Sequence, residues 1–245
     1  MEVLKFFPKH AGKIALQFSG GRDSLALLLL FRPHWEQLTV YYCDSTDAYP
    51  ETLALIAQMQ TEIPFFKLVK GKSLESRIKN GLPLDILPSF VSWPLAAQTH
   101  KNYIPLQSRD MCCYRSIMEP LQSAMAENGI TLILRGQRDE DEPKSPMKSG
   151  DSEGLFTVWF PISDWSIEQV ESYILAQGYS LPRYYSENMT SAPDCLSCTA
   201  WLETNQQAYN KKFYPETAKK VQNALLEALP LFERPFSLIK EAANG

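Results

Sequence analysis

Residues 13–31 read KIALQFSGGRDSLALLLLF, and this stretch decides the fold. Residues 13–18 are mostly apolar, which predicts a short buried strand, and residues 24–31 predict a buried helix that ends before Pro33. Between them lies the segment SGGRDS, residues 19–24. Glycines at the junction of a strand and a helix let backbone N–H groups and the helix N-terminus surround an anion. The stretch therefore predicts a phosphate-binding loop.

Strand and helix patterns alternate along the rest of the chain. Further strands are predicted at 38–42, 65–69, 131–134 and 157–160, and helices at 51–61, 112–128, 166–177 and 215–229. Residues 71–109 and 183–198 lack such a pattern and predict irregular loop regions, the first with short helices. The alternation predicts a doubly wound α/β fold with a mainly parallel five-stranded sheet flanked by helices. We expect residues 1–180 to form a nucleotide-binding domain, with a helical and loop segment, 181–245, packed on it.

Composition limits the classes of function. The net charge of −4 argues against a general binder of nucleic-acid backbones, although it allows a local basic groove. No run of about 18 apolar residues exists and the N-terminus does not resemble a signal peptide, so we expect a cytoplasmic protein that does not enter a membrane. In that reducing compartment, clustered cysteines favour metal or redox sites over disulfides.

The SGGRDS segment lacks the Gly-Lys-Ser/Thr of a Walker loop. It resembles the PP-loop, SGGxDS, of the ATP pyrophosphatase superfamily, whose members release pyrophosphate from ATP and adenylylate a substrate oxygen. The resemblance implies ATP and Mg²⁺ as cofactors and Asp23 as a catalytic residue that holds Mg²⁺ or orders the loop. A plain strand-to-helix turn is the alternative interpretation. The implied nucleotide-binding residues of the loop are Ser19, Gly20, Gly21, Arg22, Asp23 and Ser24.

Three later blocks resemble the phosphoadenylyl-sulfate reductase branch of that superfamily. Residues 44–52 (DSTDAYPET) resemble its D-T-G-x-x-F-P-E-T segment, residues 136–139 (GQRD) its G-x-R-x-D/E loop, and residues 161–166 (PISDWS) its P-L-x-D-W-T/S segment. The resemblance implies that Asp44 and Gly136 also bind the nucleotide. It further implies that Arg138 and Lys144 are catalytic and stabilise negative charge. Taken singly, Asp44 could be a turn residue and Arg138 a solvated loop charge.

Four of the five cysteines form two close pairs. Cys112 and Cys113 are adjacent, and Cys195 and Cys198 form a C-x-x-C motif. Four thiolates suit a [4Fe–4S] cluster or a zinc ion, and inert or redox thiols remain open. The arrangement resembles assimilatory adenylyl-sulfate reductases, which implies that all four ligate one [4Fe–4S] cluster. Cys43 stands alone, either as a buried hydrophobic residue or as a sulfur relay.

Two features decide which activity we expect. The resembling reductases carry a nucleophilic cysteine near their C-terminus, whereas no cysteine follows Cys198, and they degrade the loop that is intact here. In these features the chain resembles the ATP pyrophosphatase component of DNA phosphorothioation systems, and we therefore expect an ATP pyrophosphatase that activates an oxygen for iron–sulfur-dependent sulfur transfer in DNA phosphorothioation. Its partners would be a cysteine desulfurase and a nucleic acid, DNA before tRNA, and an oligomer is left open. The alternatives are a nucleotide-sulfate reductase that borrows a thiol, a tRNA thiolation enzyme and a nucleotide-binding scaffold subunit.

Overall fold

A computed structural model describes residues 13–87, 104–141 and 146–244. The strands of its main sheet are β1 (Lys13–Gln17), β2 (Thr39–Asp44), β3 (Phe66–Lys70), β6 (Ile130–Leu134), β7 (Ser152–Glu153) and β8 (Phe156–Trp159). Their order in the sheet is β3-β2-β1-β6-β8-β7, in which β7 alone is antiparallel to its neighbour. The predicted sheet of five parallel strands is confirmed, with β7 added at its edge. A separate parallel pair consists of β4 (Leu82–Leu84) and β5 (Leu106–Ser108).

Helices flank the main sheet and make up most of the C-terminal segment. They are α1 (Arg22–Leu30), α2 (Pro50–Glu62), α3 (Ser73–Asn80), α4 (Arg109–Cys113), α5 (Glu119–Glu127), α6 (Ile167–Ala176), α7 (Arg183–Ser186), α8 (Gln206–Phe213), α9 (Pro215–Ala228) and α10 (Pro230–Asn244). A π-helical turn, Tyr114–Met118, joins α4 to α5, and a 3-10 helix, Arg32–Gln37, follows α1. Ser166 caps α6, the helix predicted at 166–177, since it forms a capping box with Gln169.

The two faces of the sheet bury different side chains because successive residues of a strand point to opposite sides. In β1, Ile14 and Leu16 join the core formed with α1, α2 and α6. Ala15, between them, joins a second core with Leu121 and Met125 of α5. The buried apolar runs of the sequence therefore mark a sheet that is covered on both faces.

The strand order reverses direction at the centre of the sheet. From β1 the chain continues to β2 and β3 on one side, and it later returns to β6 and β8 on the other. A doubly wound sheet opens a crevice at the carboxyl ends of the strands on either side of such a switch point. This topology places the SGGRDS loop, which follows β1, beside residues 135–139, which follow β6.

The regions predicted to be irregular are only partly so. Residues 71–87 and 104–109 contain α3, the β4–β5 pair and the start of α4, and residues 183–198 contain the short helix α7. The β4–β5 contact joins residues more than twenty positions apart, so no local sequence pattern predicts it. In the part of the chain that the structure describes, no helix has the length and apolar character needed to cross a membrane.

Candidate functional site

The SGGRDS loop is closed by its own hydroxyl groups. The Ser19 amide donates to Ser24 Oγ at 3.2 Å, the Gly21 amide donates to Ser19 Oγ at 3.3 Å, and Ser24 Oγ donates to the Gly21 carbonyl at 2.9 Å. Gly20 has a φ of +80°, and a Cβ there would lie 2.7 Å from Thr52 Cγ2. Only glycine fits that position without strain, so the sequence holds the loop in one conformation.

Gly136 brings the end of β6 against the start of α1. A Cβ at Gly136 would lie 2.6 Å from the backbone carbonyl of Asp23. This close approach allows Arg138 Nε to lie 2.7 Å from Asp23 Oδ1. Burial raises the pKa of the Asp23 carboxyl above its ordinary value, while the neighbouring Arg138 opposes the rise.

Arg138 is 4% exposed, so its interpretation as a solvated loop charge is wrong. Besides Asp23, its guanidinium contacts Asp141 Oδ1 at 2.8 Å and Glu140 Oε2 at 3.4 Å. Carboxylates of the chain therefore occupy the guanidinium group to which the resemblance assigned the negative charge of the reaction. The catalytic role of Arg138 stays a prediction, and Lys144 lies outside the described residues.

Arg22 joins the loop to the C-terminal segment. Its guanidinium contacts Glu171 Oε1 and the Thr190 carbonyl, each at 3.0 Å, and stacks on the Tyr185 ring with 5.0 Å between Cζ and the ring centroid. The Arg22 amide donates to the Tyr185 hydroxyl at 2.8 Å. The Arg22 side chain thus fixes the loop to α6 and to the C-terminal segment. Its contribution to nucleotide binding stays a prediction.

The Asp44 block forms a tight turn beside the loop. Asp44 Oδ1 accepts a hydrogen bond from the Thr46 amide at 2.9 Å, and Thr46 has a φ of +69°. Thr46 therefore adopts the left-handed conformation at the position where the resembling segment has glycine. Asp44 orders this turn and does not line the cavity described next, whereas its neighbour Ser45 does.

A cavity of about 410 Å³ extends from the loop towards the cysteines. Ser19, Gly21, Asp23 and Ser24 line one part of it, and Cys43 and Cys113 line another. Its volume falls within the range of small-molecule sites, roughly 300–1,000 Å³. The loop and these two cysteines therefore line one continuous cavity.

Sequence reasoning missed several residues that line this cavity, chiefly Arg135, Tyr185 and Asp194. Arg135 directly follows β6 and donates from Nε to Gln17 Oε1. Its position at the carboxyl end of a central strand was a usable signal, because ligands of such sheets bind there. Tyr185 and Asp194 gave no comparable signal, since their approach depends on how the C-terminal segment packs.

The two cysteine pairs, although distant in sequence, come near enough to influence each other electrostatically. Cys112 and Cys113 end α4, just before the π-helical turn, a feature common at functional sites. Burial raises the pKa of the Cys113 thiol, and the neighbouring Asp194, Cys198, Cys112 and Cys195 raise it further. Burial likewise raises the pKa of Cys198 to about 12, with Cys195 next in effect. The four sulfurs therefore share one electrostatic environment.

Within residues 13–87, 104–141 and 146–244, no three His, Cys, Asp or Glu side chains stand close enough to hold one metal ion. The donor set consists of four buried or half-buried sulfurs, which in kind suits a four-iron cluster or a structural zinc ion.

The fold and the loop define a nucleotide-binding α/β protein of the PP-loop class. The chain belongs to the phosphoadenosine phosphosulfate reductase domain family, whose model matches residues 13–200. That match includes the SGGRDS loop, the Asp44 turn, residues 135–139 and all five cysteines.

Among the relatives are two proteins named adenosine 5′-phosphosulfate reductase. The one from Rhizobium meliloti is 27% identical over 146 residues, which cover 58% of this chain and 52% of the relative. The one from Deinococcus radiodurans is 22% identical over 170 residues, covering 69% of this chain and 59% of the relative. The chain thus spans between one half and two thirds of the length of these curated relatives.

A solved structure has the same fold. The phosphoadenylyl-sulfate reductase from Candida auris, determined as a phosphate complex, superposes with a TM-score of 0.57 at 18% identity. The superposition covers 79% of this chain and 86% of that one. The likeness supports the doubly wound fold described above.

Proposed function

We propose that the chain is a reductase-like enzyme that acts on an adenine nucleotide carrying an activated sulfate, adenylyl sulfate or its 3′-phosphorylated form. The observation that carries the proposal is the continuity of one cavity from the SGGRDS loop to Cys43 and Cys113. Such a cavity can hold a phosphate at one end and present the attached sulfate to sulfur chemistry at the other. Membership of the family and the names of the two curated relatives favour the same substrate class.

The loop would bind the phosphate of the nucleotide. Ser19 and Ser24 can turn their hydroxyls to the anion, and the N-terminus of α1 favours negative charge. Arg135 lines the same cavity and adds a positive charge at the end of β6. These groups would hold the phosphosulfate in place and exclude water from its anhydride bond.

The reaction would transfer the sulfo group to a thiolate. The thiolate attacks sulfur, the S–O bond to the phosphate breaks, and the nucleotide leaves with the bonding electrons. A second thiol then displaces sulfite and forms a disulfide, so a dithiol protein supplies both electrons. Burial raises the pKa of Cys43 to about 12, which keeps it protonated at neutral pH, and the paired cysteines would be ligands. We therefore assign the attacking thiolate to a thiol partner.

Cys112, Cys113, Cys195 and Cys198 would hold a [4Fe–4S] cluster beside the sulfate end of the cavity. Such a cluster would supply a buried redox-active centre next to the reacting sulfur. The support is their shared environment and the presence of Cys113 in the cavity wall. Four thiolates alone would suit a cluster or a zinc ion, and the relatives named adenosine 5′-phosphosulfate reductase, whose class the four-cysteine arrangement resembles, favour the cluster.

A second candidate rests on the intact SGGRDS loop. If the cavity takes ATP, the loop would hold the leaving pyrophosphate and Mg²⁺ would bind near Asp23, so that a substrate oxygen becomes adenylylated. The chain would then prepare an acceptor, DNA or tRNA, for sulfur delivered by a cysteine desulfurase. The experiment that separates the candidates offers adenylyl sulfate, its 3′-phosphorylated form and ATP side by side. Sulfite and free nucleotide would mark the first candidate, pyrophosphate the second, and binding without turnover a scaffold subunit.

A further inference from the structure

Arg77 is a buried cation at the C-x-x-C turn, and neither the loop nor the cavity uses it. It belongs to α3, and its side chain is 10% exposed. One of its terminal nitrogens, Nη1, lies 2.8 Å from Asp47 Oδ2 and donates to Ser197 Oγ at 2.8 Å and to the Ser197 carbonyl at 3.2 Å. Ser197 lies inside the turn that begins at Cys195 and ends at Cys198.

Asp47 binds the same turn through its carboxylate and its backbone carbonyl. Its Oδ2 accepts hydrogen bonds from the Ser197 amide at 3.0 Å and from Ser197 Oγ at 2.7 Å, and its carbonyl accepts from the Leu196 amide at 2.7 Å. Arg77 and Asp47 therefore form an ion pair that is fixed to the cysteine turn. One charge of each sign stands beside Cys195 and Cys198.

The Arg77 side chain includes an N–H donor that is not used in a hydrogen bond within the described part of the chain. Its Nε is buried and has no hydrogen-bond partner among the described residues. Burial alone would lower the pKa of this guanidinium, but Cys195, Asp47 and Cys198 together raise it above its ordinary value. A buried N–H without a partner is costly, so native proteins normally give it one.

We propose that Arg77 is the charge-balancing residue of the four-cysteine site, and that its buried Nε–H would be the donor available to a group held by those cysteines. The proposal rests on the cluster assigned under the proposed function. A nearby positive charge and an N–H donor both stabilise the more negative state of an iron–sulfur cluster. Asp47, with the opposite charge at the same turn, favours the less negative state.

Removing either charge should shift the midpoint potential of the cluster, and the two shifts should have opposite signs. Arg77→Gln removes the positive charge and should move the midpoint potential of the cluster to more negative values. Asp47→Asn removes the negative charge and should move it to more positive values. Arg77→Lys keeps the charge without the Nε–H and should fall between wild type and Arg77→Gln. Lys79→Gln, which removes an exposed charge from the same helix, is the matched control and should leave the potential unchanged.

The measurement uses anaerobically purified full chain and protein-film voltammetry, after iron content and thermal unfolding show that each variant is folded and loaded. Where no reversible wave is obtained, resonance Raman spectra give the same comparison. Removing the positive charge and N–H donor of Arg77 should strengthen the Fe–S(Cys) bonds, so the Fe–S(Cys) stretching frequencies should rise in Arg77→Gln. They should fall in Asp47→Asn, which removes the opposing negative charge.

The outcomes separate this inference from the proposed function. Opposite shifts in the two variants support the charge-balancing role. Shifts of the same sign, or none, in variants that retain iron would show that the ion pair only braces the turn. Wild-type protein without iron would overturn the cluster and the role of Arg77 together, while sulfite formation could still be measured independently.

Discussion

Arg138 Nε lies 2.7 Å from Asp23 Oδ1, and this contact ties the first turn of α1 to the segment after β6. The partners differ in what else they contact. Arg138 also faces Asp141 and Glu140, whereas the other oxygen of Asp23 lies 4.0 Å from Arg22. Arg138 is therefore the cation that compensates several carboxylates behind the loop, and its loss removes the close positive partner of Asp141 and Glu140 and leaves Asp23 only the longer contact with Arg22.

Arg138→Met should destabilise the fold by about 3 kcal/mol, because breaking a buried ion pair leaves charge uncompensated. We expect the lower end of the usual range, since the side chains of Asp23 and Asp141 remain 26% and 29% exposed. Urea unfolding measures the change. Arg32→Met, at an exposed arginine, is the control and should cost less than about 1 kcal/mol. Equal effects of the two substitutions would show that Arg138 is not a structural centre.

Glu51→Gln tests how the C-terminal segment is held on the sheet domain. Glu51 accepts hydrogen bonds from the Tyr209 and Tyr214 hydroxyls and from Arg183. Burial would raise its pKa, but these donors outweigh burial and hold the pKa below its ordinary value. A carboxyl with a lowered folded pKa stabilises the protein above its unfolded pKa, and this contribution is lost as the pH falls through the folded value.

Glu51→Gln should therefore reduce stability by about 1–2 kcal/mol at neutral pH. The difference from wild type should narrow in acid, as the pH falls below the ordinary pKa of glutamate. Chemical unfolding over a pH series measures both effects. Glu216→Gln changes an exposed glutamate of the same segment and should show neither. If the difference in unfolding free energy between wild type and Glu51→Gln stays constant with pH, the stabilising role of the Glu51 carboxylate would be contradicted.

Thr46→Gly should stabilise the protein by up to about 1 kcal/mol. Thr46 has a φ of +69°, a left-handed conformation that costs a β-branched residue roughly 1–2 kcal/mol. Glycine removes that cost, although its greater freedom in the unfolded chain offsets part of the gain. Thr46→Ala keeps most of the strain and should gain little. The melting temperatures of both variants test this, and a clear loss of stability in Thr46→Gly would be the contrary result.

Cys113→Ser should lose most of the iron that anaerobically purified wild-type protein holds, which we expect to be about four per chain from ligation by four cysteines. Cys43→Ser is the control, because Cys43 lines the same cavity without belonging to either pair. It should keep the iron. Iron analysis and the visible absorption spectrum decide the matter. Full iron retention by Cys113→Ser, or one zinc per colourless wild-type chain, would exclude the proposed ligand set.

The parts of the structure that the sequence predicts are those whose cause is local. Strand β1 is short and apolar because it is buried on both faces, and the SGGRDS loop is contiguous. The parts that it does not predict depend on distant partners. Arg22 meets Glu171, 149 positions away, and Arg77 meets Ser197, 120 positions away. An arginine that follows a strand in the sequence suggests an anion-binding site. In the structure, however, Arg138 contacts carboxylates of its own chain, whereas Arg135 lines the cavity.

The most direct test of the proposed function is the release of sulfite from adenylyl sulfate by the full chain with a dithiol protein such as thioredoxin. We predict sulfite and AMP in equal amounts, and no pyrophosphate when ATP is offered instead. Asp23→Ala should lower turnover, because it removes the contact with Arg138 that ties the loop to the segment after β6. The chain should stay folded, since Arg138 keeps Asp141 and Glu140 as partners. Pyrophosphate from ATP without sulfite from either nucleotide sulfate would contradict the account and establish the ATP-activating alternative.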